Sequence, residues 1–484
     1  MGLIGKLAGQ TAIYGISSIV VRMLSYLLFP YYTHILGTEQ YGVVTDIYAL
    51  IPFALVVLTM GMESSYFRFA GKTDEAGKRH LFATTWGITS LAAALFAAVV
   101  ILLRTPIGHA LGEVYVEQPL YIVLMALIVM FDVWATIPFS RLREQGRAVR
   151  FVTLKIVGIV IQVALAFAFG EAGLYQSEFG VGWVFVANLA SSVVTWLLIL
   201  PSCDGVLPKV DWAQLRVILA YSMPLLIGGV AGTAGEFLDR QLIKWLTPGG
   251  EAAFAELGIY GAVTKIAVVM LLFTQMYRLA AEPFFLSNFR KEEFVETNAA
   301  ALKYYVMVSM AIFLGIALFK DVFALLAGPE FREGVYILPV ILIGHLLAGV
   351  WLNLSFWYKR EEKTRYAIYV TFAGVAANVV ANVVLIPRLG YYGAAWARLI
   401  SEAVMVAISW WLNRKYFPTP YQWGRIGEYV VLGLVLYFAC SLADDATESL
   451  WVQYGVSIVA LGAYALYAGW RERLFEMIRH KLKK

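Results

Sequence analysis

Tyr41-Gly42-Val43-Val44-Thr45-Asp46-Ile47 returns as Tyr260-Gly261-Ala262-Val263-Thr264-Lys265-Ile266, and this echo decides how the chain is read. Five of the seven positions are identical, and the charged one changes sign, from Asp46 to Lys265. Both copies open long hydrophobic segments. An internal repeat in a hydrophobic chain is how many membrane transporters are built, with the substrate path between the halves. A charge inside such a segment is expensive, and so it is a functional candidate by default.

The echo is wider than one motif. Arg22-Met23-Leu24, followed by Leu28 and Pro30, matches Arg240-Gln241-Leu242, followed by Leu246 and Pro248. Ala187-Asn188-Leu189-Ala190-Ser191 matches Ala397-Arg398-Leu399-Ile400-Ser401, and the three offsets are 218, 219 and 210. Six helices separate corresponding positions. An even number means that the halves run the same way through the membrane, a parallel repeat with its pseudo-two-fold axis along the membrane normal. The expected architecture is an all-α integral membrane protein of about 14 transmembrane helices in two parallel six-helix lobes. Residues 1–203 form the N-lobe (helices 1–6) and 204–414 the C-lobe (helices 7–12). Residues 415–484 hold helices 13 and 14 and a basic cytoplasmic tail.

Composition agrees. Hydrophobic residues make up 60% of 484 and charged residues 15%, well below the ~25% charged residues of a soluble domain. Mean hydropathy is +0.71. The apolar runs recur from end to end at about 20 residues each, the length that spans a bilayer as a helix. They fall at roughly 11–36, 41–68, 81–103, 118–139, 151–169, 181–203, 215–246, 257–280, 302–326, 334–358, 366–387, 391–413, 425–442 and 450–470. Strand-like alternation is absent, which argues against a β-barrel. Cys203 and Cys440 suggest neither a metal site nor a disulfide framework. No cofactor, metal or nucleic acid is expected.

Lys and Arg set the orientation. Connectors on one side, such as 68–80, 141–150 and Lys359-Arg360-Glu361-Glu362-Lys363-Thr364-Arg365, are basic, and the chain ends His480-Lys481-Leu482-Lys483-Lys484. Connectors on the other side, such as Gly170-Glu171-Ala172-Gly173 and Ala443-Asp444-Asp445-Ala446, carry no Lys or Arg. The N-terminus, the even-numbered loops and the tail hold 29 of the 38 Lys and Arg. Both termini are expected in the cytoplasm, in a multi-pass protein of the cell inner (plasma) membrane. The net charge of +5 is mostly topological, the basic tail touching anionic lipid.

Three stretches carry a resemblance to a known family. One is Leu36-Gly37-Thr38-Glu39-Gln40-Tyr41-Gly42. The second is Asp239-Arg240-Gln241-Leu242-Ile243, followed by Gly258-Ile259-Tyr260-Gly261. The third is Asn382-Val383-Val384-Leu385-Ile386-Pro387-Arg388-Leu389-Gly390-Tyr391-Tyr392-Gly393-Ala394-Ala395. Over about residues 5–415 the chain resembles the polysaccharide-biosynthesis (Wzx-like) flippases of the multidrug/oligosaccharidyl-lipid/polysaccharide exporter (MOP) superfamily. The resemblance implies alternating access between two lobes and translocation of a lipid-linked (polyprenyl-pyrophosphate) oligosaccharide from the cytoplasmic to the outer leaflet. That activity serves cell-surface polysaccharide synthesis, such as O-antigen of lipopolysaccharide. It also implies partners: the lipid-linked oligosaccharide, membrane lipids, and a glycosyltransferase or polymerase of the same pathway. The lipid II flippase branch shares fourteen helices, with basic residues in helices 1, 2 and 8. Arg22 and Lys265 match two of these, whereas helix 2 carries Asp46 and Glu63.

Candidate functional residues are the charges inside spans. Arg22, Arg240, Lys265 and Arg398 are expected to face a shared lumen and hold the substrate's phosphates. A guanidinium is planar, always charged and able to grip phosphate oxygens two at a time. Asp46, Glu236 and Glu402 are the ion-coupling candidates. Glu236 and Arg240, and Arg398 and Glu402, are i,i+4 pairs that share a helix face. Asp46 and Lys265 occupy equivalent repeat positions, and a pair across the pseudo-axis would separate when the lobes rock. Lys244 beside Trp245 reads as an anchor at the outer interface, its ammonium snorkelling to water. In helix 7, Gly228-Gly229-Val230-Ala231-Gly232-Thr233-Ala234-Gly235 reads either as a seam of close helix packing or as a bending point.

The competing class is an ion-coupled small-molecule or drug exporter of the same superfamily. Acids in the lumen would favour a cationic drug and cations a pyrophosphate. An integral-membrane glycosyltransferase or polymerase would need an acidic motif on a sizeable loop, and no connector is long enough; the chain is read as a transporter and not an enzyme.

Overall fold

Every apolar run that lies within the described residues folds as a helix. In a computed structural model of the chain, which describes residues 24, 26–288, 293–447 and 449–473, twelve helices are long and apolar enough to cross a membrane. They number thirteen if the bent pair Ala252–Ile266 and Val268–Glu282 counts as one span. The expected first span, 11–36, lies largely outside the described residues; its last turns are the helix α1 (Leu28–Ile35). The remaining thirteen match the apolar runs one for one, because in hydrocarbon only a helix satisfies every backbone N–H and C=O within its own segment.

The chain divides into two compact units, Met1–Gly261 and Ala262–Lys484. In the first, α2 (Thr38–Thr59) and α3 (Met62–Ala70) form one span, broken at Met60 and Gly61. α4 (Glu75–Leu102) follows, with two short helices, α5 (Arg104–Leu111) and α6 (Glu113–Glu117). α7 (Leu120–Glu144), α8 (Ala148–Glu171) and α9 (Gly182–Ile199) come next, and then α10 (Trp212–Leu246). α7 is central and packs on α4, α9 and α2. An apolar cluster of Met62, Tyr66, Phe82, Trp86, Ile137, Leu215 and Ile218 joins α3, α4, α7 and α10. Arg141 is buried beside it, bonded to the Cys203 carbonyl at 2.9 Å and the Asp204 carboxylate at 3.0 Å.

The compact-unit boundary falls inside α11 (Glu251–Ile266), later than the repeat boundary between residues 203 and 204. The cause is α10. It opens the C-lobe expected from the sequence, yet it packs on α2, α3 and α4. At its start, the Lys209 N–H donates to the Ala83 carbonyl at 3.0 Å and His80 meets Asp211 at 2.8 Å.

The repeated glycines have a purpose in packing. A Cβ on Gly42 would stand 1.9 Å from the Phe254 carbonyl oxygen, and one on Gly258 would stand 2.0 Å from the Thr38 carbonyl oxygen. The start of α2 and the Phe254–Gly261 stretch of α11 therefore touch backbone to backbone, as small residues permit between membrane helices.

The second unit contains α12 (Val268–Asn288), α13 (Phe294–Ala317), the short α14 (Lys320–Ala324), α15 (Leu338–Leu354) and α16 (Phe356–Arg360). α17 (Arg365–Leu389), α18 (Tyr391–Tyr416), α19 (Trp423–Asp445) and α20 (Leu450–Arg471) complete it. The Leu-Ile-Pro-Arg-Leu-Gly-Tyr-Tyr-Gly motif is the tight hairpin between α17 and α18. Gly390 turns it at φ 57°, a conformation glycine adopts without penalty. A Cβ on Gly393 would press on Leu385 backbone at 2.6 Å. α13 carries the last two helices: the Tyr464 hydroxyl donates to the Met307 carbonyl at 3.0 Å. Lys303, Arg425 and Tyr429 converge on the Glu472 carboxylate.

Candidate functional site

Asp46 is the most deeply committed charge in the first unit. It sits two turns into α2, is 0% exposed, and has three donors. Lys244 Nζ reaches Oδ2 at 2.7 Å, Tyr115 Oη reaches the same oxygen at 2.7 Å, and Gln241 Nε2 reaches Oδ1 at 2.5 Å. Gln241 and Lys244 are three residues apart on α10 and so share a face; Tyr115 comes from α6. Charge-assisted bonds of this kind are the strong ones. Together they tie the Thr38 end of α2 to the Leu246 end of α10.

This corrects the reading of Lys244 as a snorkelling anchor. Lys244 is 8% exposed and turned inward, whereas its neighbour Trp245 is 56% exposed. Adjacent helical residues point about 100° apart, so one can anchor at an interface while the other enters the core. Asp46, expected opposite Lys265, is thus engaged by a lysine 198 residues away in sequence.

The other candidates are placed as follows. Arg22 lies outside the described residues. Glu236 and Arg240 share a face of α10, at 3.9 Å, with the Arg240 guanidinium also donating to the Glu236 carbonyl at 3.1 Å. Glu236 is exposed and Arg240 half-buried. In the second unit, Lys265 is exposed on α11. Arg398 and Glu402 on α18 lie 3.0 Å apart, with Glu402 buried. Glu63, at the far end of the span from Asp46, is ion-paired with Arg143 of α7. Among the described residues no group of three or more His, Cys, Asp and Glu could hold a metal ion.

Two charges inside spans escaped the sequence reading. Asp132 on α7 and Lys155 on α8 lie within the 118–139 and 151–169 runs. Asp132 is half-buried, hydrogen-bonded to Ser192 of α9 and within electrostatic reach of Lys155. The available signal was depth: Lys155 is seven residues into α8, about 10 Å from its start.

A bundle of membrane-spanning helices, with glycine-packed helices and ion pairs buried between spans, is the framework of a multi-span helical membrane protein. The chain belongs to the polysaccharide biosynthesis protein family, whose profile matches residues 7–289. It is 21% identical over 426 residues to the probable low-salt glycan biosynthesis flippase Agl15 of Haloferax volcanii, across 87% of this chain and 86% of that one. Its fold is that of the lipid II flippase MurJ in an inward closed conformation, with a TM-score of 0.76 at 13% identity, covering 96% of this chain and 100% of the other. An inward-facing multidrug resistance MATE family transporter of the MOP superfamily shares it with a TM-score of 0.65 at 16% identity, covering 86% and 98%. The protein is thus a multi-span helical membrane protein of the polysaccharide biosynthesis protein family, with the fold that these transporters share.

Proposed function

We propose that the protein moves a lipid-linked, polyprenyl-pyrophosphate oligosaccharide from the cytoplasmic to the outer leaflet of the plasma membrane, by alternating access, for cell-surface polysaccharide synthesis. The observation that carries this reading is the family match together with a glycan biosynthesis flippase aligned over most of the chain.

In this reading both termini are cytoplasmic. The Thr38 end of α2 and the Leu246 end of α10 then lie on the outer side, and the Asp46–Lys244–Gln241–Tyr115 cluster holds that end of the first unit shut. Outward opening requires α2 and α10 to part there. Arg22, Arg240, Lys265 and Arg398 supply cationic contacts to the pyrophosphate. Asp46, Glu236 and Glu402 remain the carboxylates through which an ion gradient would act. Polysaccharide-synthesising glycosyltransferases and a polymerase are the partners that supply and consume such a substrate.

The test is flipping of a fluorescent polyprenyl-pyrophosphate oligosaccharide in proteoliposomes of the purified protein, read by dithionite quenching. Protein-dependent flipping, abolished by Arg22→Ala with Lys265→Ala, is the expected result. Transport of a cationic dye with no flipping of the glycolipid would overturn the reading in favour of a drug exporter.

A further inference from the structure

In the first unit, a set of half-buried polar side chains is linked across α2, α7, α8 and α9. Lys155 of α8 is exposed, and its electrostatic neighbours, Asp132 of α7 and Glu63 of α3, lie on other helices. Its Nζ stands 4.2 Å over the ring of Phe139, a buried residue of α7. That contact places the ammonium against α7, on the side of α8 that meets it. Among the described residues no carboxylate oxygen comes within the 4.0 Å of an ion pair with it. Glu63 is taken by Arg143. Lys155 differs in this from Lys244, Arg240 and Arg398, which each have a carboxylate in contact.

The same set continues with further polar groups. Asp132 bonds to the buried Ser192. Tyr48 of α2 accepts from Gln162 Nε2 of α8 at 3.4 Å and is also bonded to Asn188 of α9. Tyr48, Gln162, Asn188 and Asp132 are all half-buried. An amide-and-phenol wall beside one uncommitted cation matches a ligand with many hydroxyls and one strongly anionic group. We infer that this wall is a head-group subsite for a sugar phosphate, Lys155 taking the phosphate oxygens and Tyr48, Gln162 and Asn188 the sugar hydroxyls. A cation over an aromatic ring keeps its position without a carboxylate, so it stays available to an incoming anion. Asp132 accepts hydroxyls and repels the phosphate enough to keep the anion from seating permanently. The inference rests on the flippase reading, and it names residues of the first unit that would recognise its substrate.

The experiment measures binding to the full-length protein in lipid nanodiscs by thermophoresis. The probes are inorganic pyrophosphate, N-acetylglucosamine 1-phosphate and N-acetylglucosamine. Lys155→Gln should weaken both phosphate-bearing probes roughly ten- to hundredfold, the worth of one charged hydrogen bond. It should leave N-acetylglucosamine unchanged, and Lys155→Arg should restore most of the loss. Tyr48→Phe should weaken only the two sugar-bearing probes. Wild-type affinity of Lys155→Gln for both phosphates, or equal weakening of all three probes, overturns the subsite. If Lys155→Gln does not fold, Asp132→Asn replaces it and should tighten the phosphate probes severalfold; unchanged or weaker binding overturns the subsite. The glycolipid flipping assay separates the two claims. Wild-type protein that binds the phosphates through Lys155 but flips nothing removes the flippase reading and leaves the subsite. Flipping and binding by Lys155→Gln at wild-type levels remove the subsite and leave the flippase.

Discussion

At the scale of residues, the buried pair Asp46–Lys244 shows how much depends on a single partner. Both charges are removed from water; Asp46 accepts from Lys244 and from two neutral donors, Tyr115 and Gln241, whereas Lys244 has Asp46 as its carboxylate. Deleting one partner of such a pair costs about 3–5 kcal/mol, because the survivor is buried uncompensated. Lys244→Met and Asp46→Asn should each lower the thermal unfolding midpoint in detergent by several degrees. The double variant should lose clearly less than the sum, a coupling of about 1–3 kcal/mol in a double-mutant cycle. Strict additivity would mean that the two charges do not depend on each other. Glu472 gives a second case, on the pH axis. Burial alone would push its carboxyl up, but hydrogen bonds from Lys303 and Tyr429 and the nearby Arg425 outweigh burial and hold it at about 2. A depressed carboxyl stabilises the fold fully above its ordinary value of 4.5 and loses that contribution as pH falls toward 2. Glu472→Gln should therefore loosen the last two helices at pH 7, seen as faster proteolysis of the C-terminal region. The difference from wild type should shrink as pH is lowered from 4.5 toward 2. A gap that stays constant with pH would show that the carboxylate's charge is not what holds the helices. Sequence spacing revealed the pairs Glu236–Arg240 and Arg398–Glu402, since four residues on a helix fix a distance. It could not reveal Asp46–Lys244 or Lys303–Glu472, which are 198 and 169 residues apart and meet only through packing.

Among elements, glycine has opposite meanings in two helices. At the contact of α2 and α11, Gly42 and Gly258 leave no room for a Cβ. Gly42→Ala should abolish recovery of monodisperse protein. In α10, a Cβ on Gly228 or Gly232 would meet nothing within 4 Å. The glycine run there is not a packing seam at those positions. α10 is a continuous 35-residue helix that also contains Pro224, and its glycines lower the cost of bending it. Each Gly→Ala change in a helix interior is worth about 1 kcal/mol of helix stability. Gly228→Ala with Gly232→Ala should raise the unfolding midpoint and slow glycolipid flipping severalfold with unchanged binding of pyrophosphate. Faster or unchanged flipping would assign the bending elsewhere. The helices themselves were legible because twenty apolar residues in a row have no other stable fate in a bilayer. The break of the second span at Met60–Gly61 was not read, although the chain turns more polar just beyond it, at Glu63, Ser64 and Ser65.

For the whole molecule, sequence similarity and packing divide the chain at different places. The repeat places its boundary between residues 203 and 204, while the compact units meet between Gly261 and Ala262. The interval is α10 and most of α11, which the Asp46 cluster and the glycine contact hold to the first unit. The proposed alternating access requires such attachments to be exchanged during the cycle, and which side this one faces depends on topology. The topology follows from the distribution of Lys and Arg, which is a rule about loops and not about packing. It is testable with single cysteines, because both native ones, Cys203 and Cys440, are buried at 3% and 2% exposure and give little background. Ala172→Cys and Ala446→Cys, on connectors without Lys or Arg, should react with a membrane-impermeant maleimide in intact cells. Arg147→Cys and Glu361→Cys, on basic connectors, should react only after the membrane is permeabilised. All four positions are exposed, so an unreactive site reports the side of the membrane and not burial. If the two sets exchanged behaviour, both termini would be outside and the Asp46–Lys244 cluster would close the cytoplasmic end.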